Sequence, residues 1–186
     1  MRTTHREGQD QGAAVRHPLH PRQAGGGAGR LSTAGRRALT LYGIAAGVLI
    51  LDRLTKVLAE RNLPGNPIEL IPGVLDLRYT TNPGGAFGLF DGIPWLFVVI
   101  SIGVIGVIVA ASRRLPTTAS AAGLGLVLGG AIGNLIDRAI RGPGFSGEVV
   151  DFIDLQVWPI FNLADSAIVI GAGLLLLAGL RRSPKR

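Results

Sequence analysis

The run IFNLADSAIVIGAGLLLLAGL, residues 160–180, decides how the rest of the chain is read. About 20 apolar residues rising 1.5 Å each cross a hydrocarbon core of roughly 30 Å, so the run has the length of a membrane span. Its head nevertheless carries Asn162 and Asp165. An ionisable group at membrane depth costs at least ~2.5 to 3.5 kcal/mol, and a chain that keeps one generally turns it inward and uses it. A second carboxylate, Asp151, precedes the run in Gly-Glu-Val-Val-Asp-Phe.

Working outward, three more apolar segments are found at 38–59, 93–111 and 118–136. With 47% hydrophobic residues and a mean hydropathy of +0.40, the 186-residue chain reads as one compact polytopic membrane domain. The first span is interrupted by Asp52, Arg53 and Lys56, and the last by Asn162 and Asp165, toward the same end of the bundle. Lys and Arg in short flanks collect on the cytoplasmic side. Arg30, Arg36 and Arg37, then Arg113 and Arg114, then Arg181, Arg182, Lys185 and Arg186 therefore place both termini in the cytoplasm. The opposite face receives 61–92 and 139–159, with Arg53, Arg61, Arg78, Arg138 and Arg141, some of which should be paired or functional. Residues 1–37 read as a disordered basic tail without an apolar period, 38–180 as the membrane domain, and 181–186 as a second basic tail.

In 61–92 the period changes. Leu75 to Thr80 alternates apolar and polar, as a half-buried strand does, and Ile68 to Ile71 is its expected partner across Pro72-Gly73. The turn-prone Asn82-Pro83-Gly84-Gly85-Ala86-Phe87-Gly88 follows. The predicted fold is a membrane all-α bundle of four transmembrane helices, with a small extracytoplasmic β-sheet at about 61–92 and a short external loop or helix at about 139–159. Within that loop the glycine-rich 142–147 is a candidate lid.

Absences narrow the chemistry. The chain has no cysteine, and His5, His17 and His20 all lie in the leader, which leaves no thiol nucleophile, His-assisted serine triad or His-x-x-x-His zinc helix in the bundle. No metal or cofactor is expected. The charge of +7 and pI near 11.2 follow membrane topology without interleaved aromatics, so anionic lipid, and not nucleic acid, is the expected partner of the tails.

In the third span, Gly129 and Gly133 permit close helix approach, as Gly43 and Gly47 do in the first. Asn134, Asp137 and Arg138 share one helical face, expected to point at Asn162 and Asp165. Asp137 and Arg138 read as an ion pair or support for the site. Asp52 and Lys56, at i and i+4, read equally as a helix-surface pair or as support. Two close carboxylates share a proton, so one can activate water while the other polarises a carbonyl. Each has a competing reading: Asp165 as a carboxylate satisfied by Asn134 or Arg138, Asp151 as the cap of a surface helix. Asp154 rivals Asp151, and Ser166 with Lys56 offers a Ser-Lys dyad. Intramembrane carboxylates also serve ion pathways and assembly subunits.

Taken in order, Asp52-Arg53-Leu54-Thr55-Lys56, Asn82 to Phe87, Gly129 to Arg138, Val149 to Phe152 and Phe161 to Ser166 resemble the lipoprotein signal peptidases, the type II signal peptidases of bacteria, over roughly 39–180. The resemblance implies an aspartic endopeptidase of the bacterial cell membrane that cuts diacylglyceryl-modified prolipoproteins just before the lipidated Cys, near the extracytoplasmic face. It puts the catalytic pair on Asp151 and Asp165, ranking Asp154 second. Support falls on Asp52, Lys56, Asn82, Gly84, Asn134, Asp137, Arg138 and Asn162. It also implies globomycin as an inhibitor.

Overall fold

The computed structural model describes residues 32–84 and 94–180, and the expectations that fall on 1–31, 85–93 and 181–186 lie outside them. Its elements are α1 (Thr33–Asn62), β1 (Ile68–Ile71), β2 (Leu75–Asn82), α2 (Pro94–Ala111), α3 (Thr118–Ile140), β3 (Val149–Asp154) and α4 (Leu163–Leu180). Among the described residues, four helices are long and apolar enough to cross a membrane.

The helix ends differ from the sequence expectation for local reasons. Ser32 accepts the Gly35 N–H (3.1 Å) and starts α1 at Thr33, so 33–37 belong to the helix and not to a tail. Thr117 caps α3 in the same way, accepting the Ser120 N–H at 3.0 Å. α3 continues one turn past 136, to Ile140, and α4 begins only at Leu163, behind Asn162.

α3 is the central helix, packed along both α1 and α4, while α2 leans on α3. Glycine makes this possible on α3. A Cβ at Gly129 would lie 2.6 Å from the Ala45 carbonyl oxygen of α1, and one at Gly130 would lie 2.5 Å from the Ala164 oxygen of α4. α1 contributes no such stripe: Gly43 and Gly47 have nothing within 4 Å of an added Cβ, contrary to the small-residue reading of that helix.

The hairpin expected from the alternating segment is present. Pro72 and Gly73 (φ 68°) sit at its turn, closed by Val74 N–H to the Ile71 oxygen at 2.9 Å, the arrangement a type II turn requires. A third antiparallel strand, β3, completes the sheet in the order β1-β2-β3, with Thr80 opposite Asp151. Sequence reading assigned this stretch to an external loop or helix. β3 is buried on both faces, so Val149-Val150-Asp151-Phe152 shows no period of two. Val150 and Phe152 pack on Ala59 and Leu63 at the end of α1, beneath the sheet.

Candidate active site

α4 begins with a capping box. Asn162 Oδ1 accepts the Asp165 N–H at 2.9 Å, and Asp165 Oδ2 accepts the Asn162 N–H at 3.2 Å. N-cap and N3 side chains thus satisfy each other's backbone donors, which fixes Asp165 in the first turn of the helix. The other Asp165 oxygen accepts Asn134 Nδ2 at 2.8 Å. Asp151 arrives from β3. It is 2% exposed, with Oδ1 accepting Asn162 Nδ2 (2.7 Å) and Oδ2 accepting Asn82 Nδ2 (3.1 Å). Asn162 therefore joins the two carboxylates, through its side chain to one and its backbone to the other.

Each asparagine can offer only its NH₂ to the acids because a donor already occupies its carbonyl. Gly84 N–H takes the Asn82 oxygen at 3.1 Å, Asp165 N–H takes that of Asn162, and Lys56 Nζ takes that of Asn134 at 2.9 Å. An ammonium has donors and no acceptor, so Lys56 excludes the flipped amide. Gly84 acts through its N–H alone, in an Asx turn.

Lys56 is fully buried and also pairs with Asp52 (2.9 Å) and Asp137 (2.7 Å). The Asp52–Lys56 pair is thus an interior one and not a helix-surface contact. Asp52 Oδ1 accepts the Ala164 N–H at 3.1 Å, tying α1 to the head of α4. Gly133 makes room for that carboxylate, since a Cβ there would lie 2.5 Å from Asp52 Oδ2. Asp137 faces α1 and not α4: it binds Arg53 and Lys56, and Arg141 Nε at 3.2 Å, while Arg141 also binds Glu60. Three carboxylates and three cations close this cluster without a surplus charge. Asp137 and Arg138 consequently do not form the pair their adjacency suggested.

Asp151, Asp165, Asn82, Asn134 and Arg138 line a cavity of about 380 Å³. Ile100 and Val104 of α2 and Ile168 of α4 extend its wall into the apolar part of the bundle. The Arg138 guanidinium lies 5.2 Å from the Phe97 ring centre and donates to the Gly147 oxygen at 3.4 Å. Burial, then the charge of Asp165, pushes the Asp151 carboxyl up to about 6, against the pull of the Asn82 and Asn162 amides. Two carboxylates beside one guanidinium balance when they share one proton.

The rival readings place their residues elsewhere. Asp154 is bound by Arg78 and accepts the Gln156 N–H at 2.9 Å. Ser166 donates to the Asn162 oxygen at 3.1 Å, and Lys56 is spent on Asp52, Asp137 and Asn134. Residues 142–147 do not line the cavity; Gly147 N–H bonds the Arg138 oxygen at 3.1 Å, folding the segment onto the end of α3. Sequence reading missed Phe97 and Trp158 as walls. Nothing marks Phe97 within a uniformly apolar helix, while Trp158, isolated between β3 and α4, carried a usable signal.

The family model for signal peptidase (SPase) II matches residues 44–181. The lipoprotein signal peptidase of Rhodococcus jostii is 49% identical over 144 residues, 76% of this chain and 73% of that protein. That of Mycobacterium tuberculosis H37Rv is 40% identical over 172 residues, 90% and 85% of the two chains. A bacterial membrane enzyme solved by the in meso method at 2.3 Å resolution superposes with a TM-score of 0.70 at 34% identity, covering 79% of this chain and 92% of that one. A second, at 1.9 Å, gives 0.67 at 33%, over 77% and 94%. Since the family model runs from within α1 to the end of α4, and lipoprotein signal peptidases 40–49% identical align across that bundle, the chain belongs to the signal peptidase II family and is a membrane-spanning peptidase.

Proposed function

We propose that Asp151 and Asp165 form the catalytic dyad, and that the chain cuts diacylglyceryl-modified prolipoproteins immediately before the lipidated Cys. The observation that carries this reading is Asn162, which holds both carboxylates on one cavity wall. The dyad works with one proton. Asp165, in the first turn of α4 where helix N–H dipoles favour negative charge, is the base; Asp151, with its raised carboxyl pKa, holds the proton.

As water oxygen bonds the scissile carbonyl carbon, Asp165 takes a water proton and Asp151 gives its own to the carbonyl oxygen. The product is a neutral gem-diol. Asp165 then protonates the leaving nitrogen, Asp151 removes a hydroxyl proton, and the C–N bond breaks, restoring the starting protonation. The apolar wall between α2 and α4 suits a substrate whose lipid chains stay in hydrocarbon while its peptide reaches the dyad. Lys56, Asn82, Asn134 and Asn162 orient the dyad; Asp52 and Asp137 hold Lys56; Arg138 supplies positive charge in the cavity.

The basic flanks, including Arg113 and Arg114, support cytoplasmic termini in the cell membrane, with the site at the extracytoplasmic end. Three of the five arginines at that end, Arg53, Arg78 and Arg141, are bound to carboxylates and weigh little against this orientation.

The test incubates purified protein with a lipidated precursor. Asp151→Asn and Asp165→Asn should each lower cleavage by at least ~10²-fold, the scale of a lost general acid or base, with the fold retained. Chelator should have no effect, and globomycin should block the parent. Preserved cleavage in either variant would end the dyad reading, and an unlipidated precursor cut equally fast would end the lipid-recognition part.

A further inference from the structure

On the side of β3 that carries Phe152, away from the dyad, a second recess of about 370 Å³ opens between the last turns of α1 and the sheet. Thr55, Leu58 and Asn62 line it from the helix, and Ile68, Leu77 and Phe152 from the sheet. Its two polar residues are tied back to the helix backbone, Thr55 Oγ1 donating to the Leu51 oxygen (2.9 Å) and one N–H of Asn62 Nδ2 to the Leu58 oxygen (2.7 Å). The rest of the wall is hydrocarbon, from Leu58, Ala59, Leu63, Ile68, Leu77 and Phe152.

This recess is continuous with the membrane-facing side of α1. Leu51, Leu54 and Leu58 recur at i, i+3 and i+7 and are 55%, 56% and 59% exposed, an apolar ridge along a spanning helix. Leu58 belongs to both the ridge and the recess, so hydrocarbon lying on the ridge reaches the recess without crossing a polar step. Arg61 lies three residues beyond Leu58 on the same side of the helix, and is exposed. Arg53, Arg78 and Arg141 at this end of the bundle are all bound to carboxylates; Arg61 forms no ion pair among the described residues.

We propose that the recess binds one acyl chain of an anionic bilayer phospholipid, with the headgroup phosphate against Arg61. The chain belongs to a bilayer lipid and not to the substrate, because β3 lies between: Phe152 enters this recess, while its neighbour Asp151 enters the other cavity. The site does not depend on the dyad chemistry, so an inactive enzyme would leave it standing.

The absence of cysteine allows a direct test. Ile68→Cys and, separately, Leu54→Cys are labelled with a small fluorophore and reconstituted with phosphatidylglycerol or phosphatidylcholine brominated in mid-chain. At Ile68, quenching should saturate at a low mole fraction of brominated lipid, with half-saturation about fivefold lower for phosphatidylglycerol. Arg61→Gln should abolish that preference, and Thr55→Trp, which fills the recess from the helix side, should remove the saturable component. The Leu54 label should quench in proportion to brominated lipid, whatever its headgroup. Ile68 quenching that tracks Leu54, or that survives Thr55→Trp in protein of native helicity, would overturn the acyl site. A headgroup preference that survives Arg61→Gln would overturn the role given to Arg61.

Discussion

Replacing Asp151 with Asn should abolish hydrolysis and, above pH 6, leave a more stable protein. In the unfolded chain this carboxyl titrates near 3.8, and in the fold burial and the neighbouring Asp165 charge move it to about 6. Between those values the folded state binds the extra proton, so Asp151 costs nothing below about pH 3.8 and progressively destabilises the fold as pH rises through the interval. The interval, at about 1.36 kcal/mol per pH unit, is worth about 3 kcal/mol. Asn carries no charge and escapes this penalty. It does lose one hydrogen bond, because the Asn82 and Asn162 amides both donate to the present carboxylate and one of them would meet an NH₂. That loss, about 1 kcal/mol, does not vary with pH. Equilibrium unfolding of parent and variant in the same mixed micelles, from pH 4 to pH 8, isolates the pH-dependent part. The stability difference should move in favour of the variant by about 2.4 kcal/mol across the range, since at pH 4 the unfolded carboxyl is already more than half ionised. A difference independent of pH would show that Asp151 is ionised without penalty, and the assignment of the dyad proton to it would fall.

Cleavage of a lipidated precursor should fall about tenfold per pH unit above about 6, where Asp151 loses its proton; a rate flat to pH 8 would contradict its role as the acid. Lys56→Met should cost roughly 3–5 kcal/mol in the same unfolding assay, since Asp52 and Asp137 lose the ammonium they share in the interior. Gly130→Ala should destabilise by about 1–3 kcal/mol, because its Cβ would meet the Ala164 oxygen and force α3 from α4. Gly43→Ala should not destabilise, and through helix propensity should gain up to about 1 kcal/mol.

The four spans and the β1-β2 hairpin were legible because each writes its own period: about 20 apolar residues, or strict alternation closed by Pro72-Gly73. β3 was not, since burial on both faces removes the alternation that identifies a strand. The dyad candidates stood out as carboxylates in apolar surroundings, and Asn162 with Asp165 is a readable cap because N-cap and N3 are three apart. The neighbours of Asp137 were illegible for the opposite reason. Helical spacing puts Asn134, Asp137 and Arg138 on one side of α3, but that side is wide enough to meet two helices, and only packing sends Asn134 to α4 and Asp137 to α1. Gly43 and Gly47 show the same limit: small residues permit close approach without choosing which helix makes it.

Lys56 connects two charge systems with different proton requirements. Asp52, Asp137 and Glu60 against Arg53, Lys56 and Arg141 is balanced as it stands, so the cluster has no need to gain or lose a proton during turnover. Asp151 and Asp165 with Arg138 is balanced only when the two acids hold one proton between them. Lys56 faces both, yet reaches the dyad through the neutral amide of Asn134, whose orientation it dictates. A cation bonded directly to Asp165 would hold that acid ionised throughout the cycle, although it must accept a proton from water and return it to the leaving nitrogen. An interposed amide keeps the geometry fixed while leaving that proton free to move.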